Sequence, residues 1–249
     1  MRLGFPLSLR LEPTMPTDLL EIALRDPQPD APLIVERSDG HRSVTDLAWW
    51  RREPAAQPPV DTKILDWVEL GQSVADVGCA TGRHLEILHR RGIASIGVDS
   101  CPTAVAFAAA HGLTAVQADA TAWSPPEPVN VVAALGGGLG ICGTLDQLGR
   151  WLVHLAGWMT PAGRLLVTSV DWRGPGHVAW GETAQSRDAY PGEVTLRLRY
   201  RDRIGDWFPW LWVDPPTLQA HAQEAGLTMV KTMAWGAKYA AELRRESLP

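Results

Sequence analysis

The 249-residue chain predicts an α/β fold: a doubly wound, seven-stranded, mostly parallel sheet with an antiparallel last strand and an extra β-hairpin inserted after strand 5. Three observations carry this expectation. From residue 61 to 170, short apolar runs alternate with amphipathic runs at helical spacing, the pattern of β-α-β units. The residues that end those apolar runs are glycines or carboxylates: Gly78, Asp99, Asp119, Gly136 and Asp171. After Asp171 the period changes to strict alternation, as in Glu193-Val-Thr-Leu-Arg-Leu-Arg-Tyr200, which reads as an antiparallel strand.

Residues 1–58 are expected to be an irregular N-terminal extension. Prolines at 6, 13, 16, 27, 29 and 32, and again at 54, 58 and 59, break long helices. Within it, residues 33–44 read as a hairpin turning on Asp39-Gly40, since Asp-Gly supplies the positive φ of a tight turn, and this hairpin is a candidate cap. The main domain is expected over 59–249. It opens with a helix through Ile64, Leu65, Trp67 and Val68. Strands follow near 73–77, 95–98, 114–117, 129–135 and 164–170, with helices near 82–91, 102–111 and 145–158. The crossover 121–128 is short and carries prolines, so it predicts a turn in place of a helix.

Residues 171–213 read as a substrate-side insertion. Its first part, 171–191, is a long connection rich in Gly, Pro and Trp, of a length that compact domains reserve for function. The strand 193–200 and the run 207–213 then form a hairpin, with Pro209 assigning the second arm to an edge. A helix over 216–225, closed by Gly226, leads to a last pair of strands near 227–234 and 238–243.

A net charge of −5 without a Lys/Arg cluster argues against nucleic acid or an anionic membrane surface as partner and favours a cationic or neutral small molecule. No apolar run is long enough to span a bilayer, and the start MRLGFPLSLRLEP suits a signal peptide poorly, so a cytoplasmic location is expected. Three cysteines, 79, 101 and 142, are odd in number and lack metal-ligand spacing, so neither a disulfide framework nor a metal site is expected.

The chemistry belongs at the carboxyl ends of the parallel strands. The first carries Val74-Ala-Asp-Val-Gly-Cys-Ala-Thr-Gly-Arg83. A dinucleotide fingerprint needs a third glycine for close helix–strand packing, and Arg83 stands in that place. What remains is G-x-A-x-G after Asp76, with Asp99 closing the next strand. An ionised carboxylate there can accept from two ribose hydroxyls at once.

These residues, in this order, resemble the class I, Rossmann-like S-adenosylmethionine-dependent methyltransferases over 61–170, in the size range of the bacterial small-molecule enzymes, with Ala80 where the family's first motif usually has glycine. The resemblance implies S-adenosyl-L-methionine as cofactor, S-adenosyl-L-homocysteine as product and a small-molecule methyl acceptor as partner, and the size and pocket-like insertions suggest specialised-metabolite biosynthesis as the setting. It implies that Gly78, Ala80 and Gly82 line the methionine moiety and that Asp76 orders the turn near the amino group. Asp99 would hold the ribose, with Cys101 beside the adenine. Asp119 would accept from the adenine amino group while the N–H of Ala120 faces the ring, and Leu135 and Gly136 would flank the transfer centre.

A general base is required only if the acceptor must lose a proton. Of His41, His84 and His177, His177 occupies the expected place, after the fifth strand, and is the catalytic candidate. Trp172, Trp180, Trp207, Trp210 and Trp212 read either as core or as an aromatic wall for the acceptor, and Arg173, Arg197 and Arg199 as partners for a carboxylated one. Two rivals stand beside this reading: a non-catalytic protein that keeps the fold and binds the cofactor or a protein partner, and a nicotinamide oxidoreductase, which Arg83 disfavours.

Overall fold

The structure, a computed structural model, describes residues 15–26, 31–45, 47–51, 59–172 and 190–246. In chain order they form α1 (Asp18–Arg25), β1 (Leu33–Arg37), β2 (Arg42–Thr45), α2 (Leu47–Trp50), α3 (Pro59–Leu65), β3 (Ser73–Val77), α4 (Arg83–Arg90), β4 (Ala94–Asp99), α5 (Pro102–Ala110), β5 (Ala115–Gln117) and β6 (Val129–Ala134). A 3-10 turn (Gly138–Cys142) precedes α6 (Leu145–Gly157), β7 (Met159–Val170), β8 (Glu193–Tyr200), β9 (Arg203–Ile204), β10 (Phe208–Leu211), α7 (Pro215–Glu224), β11 (Leu227–Trp235) and β12 (Lys238–Arg245).

Seven strands make one sheet in the order β11-β12-β7-β6-β3-β4-β5. The pairs among β7, β6, β3, β4 and β5 are parallel, and β12 runs antiparallel to both β7 and β11, between which it inserts. Burial on both faces explains the continuous apolar strands. Val74, Val131 and Leu166 point to the side covered by Val60, Ile64 and Leu65 of α3. Their neighbours Ala75, Val132 and Leu165 point to the other side, against Leu148, Trp151, Leu152 and Leu155 of α6. The crossover 121–128 holds no helix, as its prolines predict. Strand β7 starts five residues earlier than the apolar pattern indicates, because Met159 pairs with Val129 before the register shifts at Val131.

The second sheet runs β10-β8-β1-β2, with β9 pairing β8. It joins the two hairpins predicted separately: β1 pairs β2 on one side and β8 on the other, all antiparallel. Pro209 lies on the edge strand β10, opposite Thr195. The helix α1 is a departure from the expected irregular N-terminus. Its eight residues fit between Pro16 and Pro27, so the prolines bracket the helix and leave its interior intact. Leu19, Leu20 and Ala23 of α1 pack with Leu196, Leu198 and Tyr200 of β8 and with Ala104 of α5, fixing the second sheet above one end of the first. No helix among the described residues is long and apolar enough to cross a membrane.

Candidate active site

Between the two sheets lies a cavity of about 800 Å³. Its floor is the row of carboxyl strand ends in the large sheet, including Gly78, Ala80, Asp99, Asp119 and Gly136, and its roof is the inner face of the small sheet, including Val35, Leu196 and Phe208.

The first floor loop is held by backbone geometry. Gly78 has φ +68 and Gly82 φ +85, the left-handed region that glycine enters without cost. Ala80 adopts φ +45 in the same loop, a conformation that an L side chain resists. Its N–H donates to Asp99 Oδ2 at 2.8 Å, while the N–H of Cys101 donates to Asp99 Oδ1 at 2.8 Å. Asp99 therefore ties the first and second strand ends together. Each of its oxygens accepts one amide and keeps further acceptor capacity. Burial pushes its carboxyl above the usual value, against the pull of the Cys101 and Ala80 amides.

The predicted residues do not all meet the cavity. Gly78, Ala80, Asp99, Asp119, Ala120, Leu135 and Gly136 belong to its wall. Gly82 sits behind it, where a Cβ would reach Leu113 at 2.7 Å, so its lack of a side chain serves packing at the start of α4. Cys101 is fully buried, and burial pushes its thiol up to about 11. Asp76 lies beneath the rim with its carboxylate 3.4 Å from His84 Nδ1, and it is His84 that reaches the cavity. His177, Trp180 and Arg173 lie outside the described residues.

Asp119 makes a tight turn in which its Oδ1 accepts from Thr121 N–H at 2.9 Å and Thr121 Oγ1 at 2.8 Å. The carbonyl of Ala120 lies 2.9 Å from His154 Nε2 on α6, and the His154 ring is stacked on Trp151 with centroids 5.5 Å apart. No local pattern announces this brace, since His154 reads as one polar residue on an amphipathic helix.

The glycine run after β6 has a packing explanation. The N–H of Gly136 donates to Thr168 Oγ1 at 2.8 Å, bridging the ends of β6 and β7. The indole of Trp210 lies over Gly137 and Gly140, so β10 of the roof closes directly on the floor. Trp212 also lines the cavity, whereas Trp207 faces outward under the Arg197 guanidinium, 4.2 Å from its ring centroid. Arg197 and Arg199 do not reach the cavity. They bind Glu36 at 2.6 and 2.9 Å on the outer face of the roof, together with Arg42 at 2.7 Å. Tyr190 donates to Asp214 at 2.6 Å outside the cavity wall, and burial pushes its hydroxyl up to about 12.

Comparison with known proteins gives the fold a counterpart. Residues 74–163 match the family model described as a methyltransferase domain. The chain's fold is similar to that of an S-adenosylmethionine-dependent methyltransferase from Bacteroides fragilis solved with S-adenosyl-L-homocysteine. The TM-score is 0.76 at 22% identity, covering 94% of this chain and 98% of that one. The CcbJ methyltransferase from Streptomyces caelestis matches with a TM-score of 0.61 at 18% identity, over 78% of this chain and 92% of that one. In sequence, the chain is 30% identical over 148 residues to a trans-aconitate 2-methyltransferase of Escherichia coli, covering 55% of this chain and 54% of that protein. The matched region thus spans about half the length of that curated relative. The described residues thus have the fold of an S-adenosylmethionine-dependent methyltransferase, and residues 74–163 match a methyltransferase-domain model.

Proposed function

We propose that the protein is an S-adenosylmethionine-dependent methyltransferase acting on a small molecule held between the two sheets. The single observation that carries this reading is the cavity itself. Its volume, about 800 Å³, lies within the range of about 300–1,000 Å³ typical of cofactor and substrate sites, and its two walls differ in chemistry. The floor supplies exposed backbone and two carboxylates, Asp99 and Asp119. The roof supplies mostly apolar side chains.

The floor fits the cofactor on three counts. The left-handed turn at Gly78 presents bare backbone to the cavity, where a Cβ would press on Ile141 at 3.3 Å. Asp99 retains acceptor capacity beyond its two amides and takes the ribose hydroxyls in this reading. Asp119 commits Oδ1 to its own turn and has Oδ2 to accept from the adenine amino group. When bound, S-adenosylmethionine supplies a methyl group already activated on a sulfonium sulfur. The chain's contribution is then to hold the acceptor in line and to exclude water, and such positioning supplies about 7–11 kcal/mol in well-oriented systems. Gly78, Ala80, Leu135 and Gly136 form the wall nearest that transfer, and Gly82 and Asp76 support it from behind.

Titration calorimetry with S-adenosyl-L-homocysteine tests the reading. Saturable binding is expected, with Asp99→Asn weakening it by about tenfold or more through loss of a charge-assisted acceptor. Absence of binding to wild-type protein overturns the assignment. Binding without methyl transfer to any of a broad set of small acceptors favours the non-catalytic alternative.

A further inference from the structure

The register of the roof sheet says which kind of acceptor it is built for. Phe208 pairs with Leu196, and Leu196 with Arg37, so these three share one cross-strand row. Arg37 N–H donates to the His41 carbonyl at 2.8 Å, extending the row onto the next strand. The row beside it is Leu198, Val35 and Ser43. Paired residues point to the same face of a sheet, and all of these line the cavity. The roof is therefore an apolar stripe on β8 and β10 that turns polar and basic towards β2.

Cavity-lining carboxylates are confined to one side. Among the described residues, the carboxylates lining the cavity are Asp99 and Asp119, and both belong to the floor. Glu36 alternates to the outer face of the roof, where three arginines bind it. Asp39 is engaged with Arg37. Three cations line the cavity, Arg37 on the roof and Arg83 and Lys238 on the floor, and Lys238 makes no ion pair among the described residues. A protonated amine placed under this roof would be desolvated against apolar side chains, beside like charge and without a carboxylate, which is strongly unfavourable.

We propose that the acceptor is a largely apolar molecule bearing one anionic group, carboxylate or phenolate, and that it lies along the Leu196–Leu198 stripe with that group towards Arg37. Cationic amines and amino sugars are excluded by the same roof. The proposal rests on the methyltransferase reading above and specifies its second substrate.

Protein first saturated with S-adenosyl-L-homocysteine separates the two claims, because failure at that stage overturns the cofactor reading alone. Three probes are then titrated into the saturated protein: 4-hydroxycinnamate for the proposed class, glucosamine for amines, and trans-aconitate for compact polyanions. The expected order places 4-hydroxycinnamate first, with no measurable glucosamine binding. Because Arg37 is buried against Asp39, the informative variant removes both charges, Arg37→Met with Asp39→Asn, so that neither is left unpaired. Lys238→Met is an exposed change that leaves the core untouched. The double variant is expected to lose about tenfold or more in 4-hydroxycinnamate affinity at unchanged affinity for S-adenosyl-L-homocysteine. Lys238→Met is expected to lose less, and only at low salt. Preferred binding of glucosamine or trans-aconitate, or unchanged 4-hydroxycinnamate affinity in a folded double variant, overturns the proposal.

Discussion

The indole of Trp210 occupies the space that a side chain on Gly140 would need, so the roof strand β10 and the floor turn after β6 are in direct contact across the cavity. Replacing Gly140 by Ala forces the two apart. Overpacking of this kind costs about 1–3 kcal/mol. In a Trp210→Leu background the added methyl finds room, and the cost of Gly140→Ala should largely disappear. Urea denaturation of the two single variants and the double variant measures that coupling. Additive effects would show that the contact carries no energy.

Ala80 invites the opposite change. With φ +45, it bears a penalty of about 1–2 kcal/mol for an L side chain in the left-handed region, while glycine adds about 0.5–1 kcal/mol of unfolded-state entropy. Ala80→Gly should therefore raise stability by up to about 1 kcal/mol while keeping the N–H bond to Asp99. A lower midpoint in urea would mean that the loop relaxes the strain in some other way.

The Glu36 carboxyl is held at about 2, first by Arg197, then by Arg199 and Arg42, against an ordinary value of 4.5. A folded-state value below the unfolded one stabilises the protein above pH 4.5, and that contribution fades as pH falls from 4.5 towards 2. Glu36→Gln should lower stability at neutral pH and flatten the stability profile across that acid window. Parallel profiles for the variant and the wild type would rule the ion cluster out as a contributor.

His154 braces the loop through the Ala120 carbonyl at 2.9 Å while its ring packs against Trp151 and Trp158. Exchange for Phe keeps the aromatic packing and removes the donor. One hydrogen bond is worth about 0.5–1.5 kcal/mol, so S-adenosyl-L-homocysteine affinity should fall by roughly two- to tenfold. The turnover number should stay near wild type, and His154→Gln should recover part of the loss. Equal falls in turnover and affinity would point instead to general disruption of α6.

The floor of the site was legible because its signals are local. Val74, Ala75 and Val77 make a doubly covered strand, and Asp99 and Asp119 stand out at strand ends, where each also holds its own loop. The roof was not legible as one object. Nothing in 33–45 or 193–200 announces that Val35 pairs with Leu198, because a strand's period says which face is apolar and is silent about its partner. For the same reason Arg197 and Arg199 were open to an acceptor role until Glu36, some 160 positions away in sequence, proved to be their partner. The pairing of Asp76 with His84 was equally hidden, since strand and helix periods do not register across a loop.

That long-range pairing has a consequence for biosynthesis. A ribosome delivers β1 and β2 first, yet their neighbour β8 emerges only after the parallel strands β3 to β7 have been made. The early hairpin must wait, with Leu33 and Val35 lacking their final cover, while the parallel part of the large sheet assembles from contacts close in sequence. The roof of the cavity therefore closes only after the parallel core of the floor has been made.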